Sequence, residues 1–273
     1  MIYQKHIPKF PLVDYVDSII FIQGNNKGTG LPKTAMSLVF NLEDSFKLFI
    51  DKEFINHVDY KKHWVAGLQT KPINVESYGL SKMLVVQFKT LGAFIILNDP
   101  LHYYTNDFVT LDNVFRREAD EIWEQLQEAK TLDEKFLIIE NFLYRKLLTN
   151  KLPNKKLIST IEILFNNKMN YSISEICNQL NISRKHLNNL SKEYTGVSPK
   201  MLSSLNRLQT TLKAISFSSS EKLTDVAYQS EYFDQAHFIN DFKKFTDLKP
   251  TEYAKLVVTK QSLKIVPHFI PYE

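Results

Sequence analysis

The sequence predicts an α+β protein: a strand-rich mixed N-terminal domain over residues 1–150, then an all-α domain over residues 151–260 with two helix-turn-helix units. Three observations predict it. Short β-branched and aromatic runs fill the first hundred residues, apolar residues then switch to helical spacing, and two late segments repeat one another.

The strand signals are Ser18–Ile22, Ser37–Phe40, Phe46–Ile50 and Met83–Phe88. Loops rich in Gly, Asn and Asp separate them, as antiparallel pairs require, and Gly24–Gly30 is expected to be one such loop. From Asn113 to Leu148 apolar residues recur at helical spacing: Phe115, Ala119, Ile122 and Leu126, then Phe136, Ile139, Phe142, Leu143 and Leu147. Two helices broken near Lys130 are predicted, the second starting at Thr131 with acidic residues in its first turn. Sustained heptads are absent, which favours burial within the chain over a dimer seam. The polar, basic, proline-containing segment Thr149–Lys156 reads as a linker, and residues 261–273 as a C-terminal tail.

The repeat lies between. Ile173–Cys177, a turn, and Ser183–Thr195 ending at Pro199 match Leu223–Ala227, a turn, and Asp234–Thr246 ending at Pro250. The short helices match at an offset of 50 and the long ones at 51, because the second turn is one residue longer. Each unit has the logic of a helix-turn-helix. The small Cys177 or Ala227 sits where two helices approach, and Ser183 or Asp234 suits an N-cap. One face of each long helix is apolar, with Leu187, Leu190 and Tyr194, or Phe238, Phe242 and Phe245. The opposite face carries Arg184, Lys185, Asn188, Asn189 and Lys192, or Gln235, Asn240, Lys243 and Lys244. Asn and Gln pair with adenine, Lys reaches guanine acceptors, and further lysines meet phosphate.

Charge agrees with a polyanion partner. Residues 1–150 hold 17 Lys+Arg against 19 Asp+Glu, whereas residues 151–273 hold 17 against 11, so the net +4 is concentrated in the second half. The composition, 44% hydrophobic and 23% charged, is that of a soluble globular protein. No apolar run is long enough to span a bilayer, and Lys5, His6 and Lys9 interrupt the signal-like start, so no membrane association and a cytoplasmic location are expected. The single cysteine, Cys177, excludes an intramolecular disulfide and a multi-cysteine zinc site.

The stretch Ile182–Leu187 followed by Lys192–Pro199, then Leu223–Tyr228, Phe233–Phe238, Asp241–Thr246, Pro250 and Tyr253, resembles the DNA-binding domain of AraC/XylS transcription regulators over residues 157–256. The resemblance implies seven helices in two subdomains, joined by a linking helix that begins at Leu205–Leu208. It implies base readout by Lys185, Asn188 and Asn189, then Gln235, Ala236 and Asn240. Helix-start and backbone contacts would come from Ser183, Arg184, Lys192, Lys243 and Lys244. Double-stranded DNA is the implied partner, with a small-molecule effector, a second copy of the chain and RNA polymerase as further ones. Pro11–Val16, Leu38–Leu42 and Val65–Pro72 resemble a sensor domain found ahead of some such modules.

The second unit departs from the family pattern. Glu231 and Asp247 stand where glycine is usual, Ala236 offers only an apolar contact, and Asp241 would repel phosphate if it faced DNA. These departures support an alternative, a helical protein-interaction module with lost or weakened DNA binding.

Other chemistry finds no pattern. His57 and His63 are six apart with no matching carboxylate set, so no metal site is expected. The glycines of Gly24–Gly30 lack a phosphate-binding order, no nucleophile elbow is present, and Cys177 sits at a packing position. No enzyme activity and no cofactor are expected. His186 and His237 are expected to pack or touch phosphate, Arg207 to hold the linking helix, and Trp64 and Trp123 to lie in the core.

Overall fold

Strands whose successive side chains are all apolar need cover on both faces. The computed structural model provides it; it describes residues 2–24, 27–43, 46–49, 54–77, 81–89, 91–150, 153, 158–159, 172–217, 232, 234–259 and 268–272. Strands β1 (Ile2–His6), β2 (Val16–Gly24), β4 (Ser37–Asn41), β7 (His63–Ala66), β9 (Ser81–Phe88) and β10 (Phe108–Thr110) form one antiparallel sheet in the order β1-β2-β9-β4-β7-β10. The second has the order β11-β3-β8-β5-β6, built from β3 (Lys27–Gly30), β5 (Phe46–Phe49), β6 (His57–Tyr60), β8 (Ile73–Ser77) and β11 (Phe269–Pro271).

Every residue of β4 is buried, and alternation sorts its side chains. Leu38 and Phe40 join Val65, Leu84 and Val86 beneath the helices. Val39 joins Trp64, Met83, Phe46, Tyr60, Val75 and Phe108 in a separate cluster shared with the second sheet. The register aligns the two sets, with Leu38 opposite Val86 and Val65, and Val39 opposite Val85 and Trp64. A one-residue slip would exchange the faces.

Helices α1 (Gly92–Leu97), α2 (Asp112–Phe115), α3 (Arg117–Glu128) and α4 (Leu132–Thr149) follow. The break falls where the sequence predicts it, and α4 opens with a capping box. The Glu134 amide donates to Thr131 Oγ1 (3.2 Å), and Glu134 Oε2 accepts from the amides of Thr131 (3.1 Å) and Lys130 (2.7 Å). Asn150 fastens the other end, donating to the carbonyls of Ile95 (2.8 Å) and Ile96 (3.0 Å). Of the linker segment beyond Asn150, only Pro153 is among the described residues.

The C-terminal half contains α5 (Ile173–Leu180), α6 (Arg184–Thr195), α7 (Pro199–Phe217), α8 (Gln235–Thr246) and α9 (Pro250–Thr259). The first half of the second repeat, Leu223–Ala227, and Glu231 lie outside the described residues. The linking helix α7 begins at Pro199, earlier than Leu205. Proline suits a first helical position, and Ser198 Oγ accepts from the Met201 amide (3.3 Å).

Two readings need correction. Lys27–Gly30 is strand rather than loop, paired with β8 on one side and with β11 on the other. The C-terminal segment is not a free tail. Ile270 pairs with Thr29, the Tyr272 amide donates to Lys27 O (2.8 Å), and the Tyr272 hydroxyl lies 2.7 Å from Thr29 Oγ1. Gly28 lets β11 in: a Cβ there would lie 2.3 Å from Ile270 O and 2.7 Å from the Phe269 ring.

Candidate nucleic-acid interface

A helix can offer a polar face to a ligand only if its ends and apolar face are held. Ser183 and Asp234 hold the starts, each accepting a hydrogen bond from the third residue on, His186 N (3.1 Å) and His237 N (2.7 Å). The ends are alike too. Thr195 Oγ1 donates to Ser191 O (2.6 Å) and accepts from Val197 N (3.3 Å). Thr246 Oγ1 donates to Phe242 O (2.7 Å) and accepts from Leu248 N (3.2 Å). The sequence reading missed this paired role, although the two threonines stand at equivalent positions of the repeat.

Gly196 ends α6 in the left-handed region, with φ 88°. Asp247 ends α8 in the same region, with φ 59°, so the backbone departure inferred from sequence is real. An L-residue pays for this conformation, and Asp less than most. Asp247→Gly should stabilise the domain by about 0.5–1 kcal/mol. Chemical denaturation of both forms checks this; an unchanged or lower midpoint contradicts it.

Burial divides each helix as expected. Leu187 and Tyr194 are buried on α6 and Phe238, Phe242 and Phe245 on α8, while Leu190 is half-buried. Ser183, Arg184, Lys185, Asn189 and Lys192 are exposed and Asn188 half-buried. Gln235, Ala236, Asn240, Lys243 and Lys244 are all exposed. Arg184 Nη2 donates to Ser174 Oγ (2.5 Å), tying the start of α6 to α5. The Lys244 ammonium lies 5.4 Å from the centroid of the Phe245 ring.

Asp241 does not stand among the exposed polar residues. Its carboxylate lies 3.6 Å from Arg207 Nη2 and 3.6 Å from His237 Nε2, with 18% of the side chain exposed. Arg207 also donates to Ser203 Oγ and Ser204 Oγ, both at 3.2 Å, and lies over the Tyr232 ring. It holds α7 against α8, as expected from sequence. Trp64 is buried, and Trp123 is half-buried, donating to Asn41 O (2.7 Å).

The first unit also meets the N-terminal domain. The rings of Phe94 and Tyr194 are 4.2 Å apart, and Thr105 Oγ1 donates to Gly196 O (2.8 Å). On α7, Gln209 Nε2 donates to Thr34 Oγ1 (2.5 Å). The core beneath the first sheet runs on without a break into the cores of both helical units.

Among the described residues, the metal-ligating side chains that converge lie elsewhere. His63 meets Asp112 and Asp120, whereas His57 lies 3.8 Å from Asp59. No helix among the described residues is long and apolar enough to cross a membrane.

Residues 176–256 match a helix-turn-helix domain family (HTH_18). The C-terminal region is an AraC-type DNA-binding domain. Residues 176–256 are accordingly a DNA-binding domain of the kind found in transcription regulators. Ahead of the AraC-type domain, residues 4–110 match a domain of unknown function, DUF6597. No curated protein matches the chain. Among solved structures, ToxT from Vibrio cholerae is similar over 93% of this chain and 98% of that one, at 15% identity and a TM-score of 0.47. ToxT from Vibrio cholerae strain SCE256 with a bound unsaturated fatty acid is similar over 86% and 94%, at 16% identity and a TM-score of 0.45. The AraC-like transcriptional activator CuxR is similar over 73% and 83%, at 10% identity and a TM-score of 0.25.

Proposed function

We propose that this regulator reads a two-part DNA site, with α6 and α8 entering successive major grooves, and that its N-terminal domain modulates the binding. The observation that carries the reading is the pair of equivalently capped helices, each with a buried apolar face and an exposed face of Lys, Asn and Gln. Lys185, Asn188 and Asn189, and Gln235, Ala236 and Asn240, are the base readers. Ser183, Arg184, Lys192, Lys243 and Lys244 meet the backbone. Modulation rests on the continuous core and on the contacts at Gly196 and Gln209, since a shift in either domain would be felt by α6 and α7.

Selection of binding sites from random duplexes with the full chain tests this. Two half-sites about 34 Å apart are expected. Lys185→Ala and Asn189→Ala should each lower the preference for the selected site by about 1–3 kcal/mol. An unchanged preference in both would reject this docking. The interaction-module alternative, favoured by Ala236 and Asp247, predicts no DNA shift even at low salt, where phosphate contacts are strongest.

A second copy of the chain is the further partner with a structural motive. Leu137, Tyr144 and Leu148 are exposed along one stripe of α4. A small-molecule effector and RNA polymerase complete the proposed partners.

A further inference from the structure

We propose that His63, Asp112 and Asp120 form a binding site for a divalent transition-metal ion of the zinc class. His63 opens β7, Asp112 opens α2 and Asp120 lies in α3, so the fold assembles the group from three elements. The His63 side chain is 1% exposed, yet neither ring nitrogen makes a hydrogen bond. A buried polar group without a partner is costly, which marks the imidazole as built for something it meets here.

Its Nε2 points at two carboxylates, 3.5 Å from Asp120 Oδ1 and 4.0 Å from Asp112 Oδ1. Those separations exceed a good hydrogen bond. They approach the spacing of two ligands on one tetrahedral zinc, about 3.4 Å for metal–ligand bonds of about 2.1 Å. All three ligand atoms lie within 4.8 Å of one another, so side-chain rotation of under about an ångström closes the set. The carboxylates are 53% and 40% exposed and line an open cleft of about 300 Å³, leaving an entry path and room for a water as fourth ligand.

Imidazole with two carboxylates suits zinc better than calcium or magnesium, which prefer oxygen alone. Lys62 Nζ sits 2.7 Å from the same Asp120 oxygen, on a half-exposed side chain that can withdraw. Binding would join the edge region of the first sheet to α2 and α3. The want of an acceptor for Nδ1 sets a limit on affinity, since such outer partners are worth about 10–100-fold.

The test uses the full chain, stripped with a chelator and titrated with zinc against a chromophoric competitor, then with cobalt(II) for its visible spectrum. One ion per chain is expected, with a tetrahedral cobalt spectrum lacking a thiolate band. Asp112→Asn and Asp120→Asn, both at exposed side chains that leave His63 in place, should each weaken binding at least tenfold. Lys62→Ala should tighten it several-fold by freeing Asp120. Absence of binding at one equivalent, or zinc affinity unchanged in the double Asp112→Asn, Asp120→Asn variant, would overturn the site.

Discussion

Phe242→Ala is expected to unfold the second helix-turn-helix unit while the two N-terminal sheets stay folded. Phe242 is fully buried, packed edge-on to Phe238 at 6.0 Å and against Tyr253 at 5.7 Å. Tyr253 carries the contact on to α7, where its hydroxyl lies 3.1 Å from Ser216 Oγ. Removing the ring deletes the common partner of α8 and α9, at a cost of about 3–5 kcal/mol. A domain's whole stability is only about 5–15 kcal/mol, so a unit this small would lose most of its share. Hydrogen exchange should show α8 and α9 losing protection while β4 and β9 keep theirs. Footprinting on the selected DNA should show the second half-site released and the first retained. Simultaneous loss of protection in β4 would mean that the chain unfolds as one unit.

Acidification from pH 7.5 to 4.5 is expected to release β11 from the second sheet before the first sheet is affected. His268 leads into β11, and its carbonyl accepts from the Leu31 amide (2.8 Å). Burial, then the charges of Lys33 and Lys213, push its imidazole down from 6.5 to about 4. Lys33 itself is held below the usual lysine range by burial. The docked strand therefore favours neutral His268, whereas the released strand takes up a proton at its ordinary value. Docking is complete above about pH 6.5 and weakens as the pH falls towards 4, by up to about 3 kcal/mol. Gly28→Ala should release the strand at neutral pH, since its Cβ would collide with Ile270 O. Exchange at residues 27–30, 269, 270 and 272, with β4 as internal control, reads both effects. Full protection at pH 4.5 would contradict the release.

Much of this architecture was legible from residue order alone, for identifiable reasons. The strands around Ser37–Phe40 and Met83–Phe88, the break near Lys130 and the caps at Ser183 and Asp234 are local signals. The exposed polar faces were equally plain, because a polar stripe opposite Leu187 or Phe238 is a matter of helical spacing. What escaped depended on distant partners. Lys27–Gly30 has two glycines in four residues and no apolar alternation, and is a strand because β8 and β11 flank it. Asp241 would repel phosphate if it faced DNA, but Arg207, distant in sequence, stands beside it on α7. Near His63 the sequence offers only His57, six residues away and with no matching carboxylate set, whereas the fold brings it Asp112 and Asp120 from beyond β10.

The pairing of β11 with β3 also has a consequence in time. Phe269 is made 239 residues after Gly30, its neighbour in the sheet. At about 5–20 residues per second, that delay is roughly 12–48 s. During it, β3 presents an open edge of unpaired amides and carbonyls, the kind of template on which another chain can add. The nascent protein must protect that edge while the whole DNA-binding half is being made, until β11 closes it.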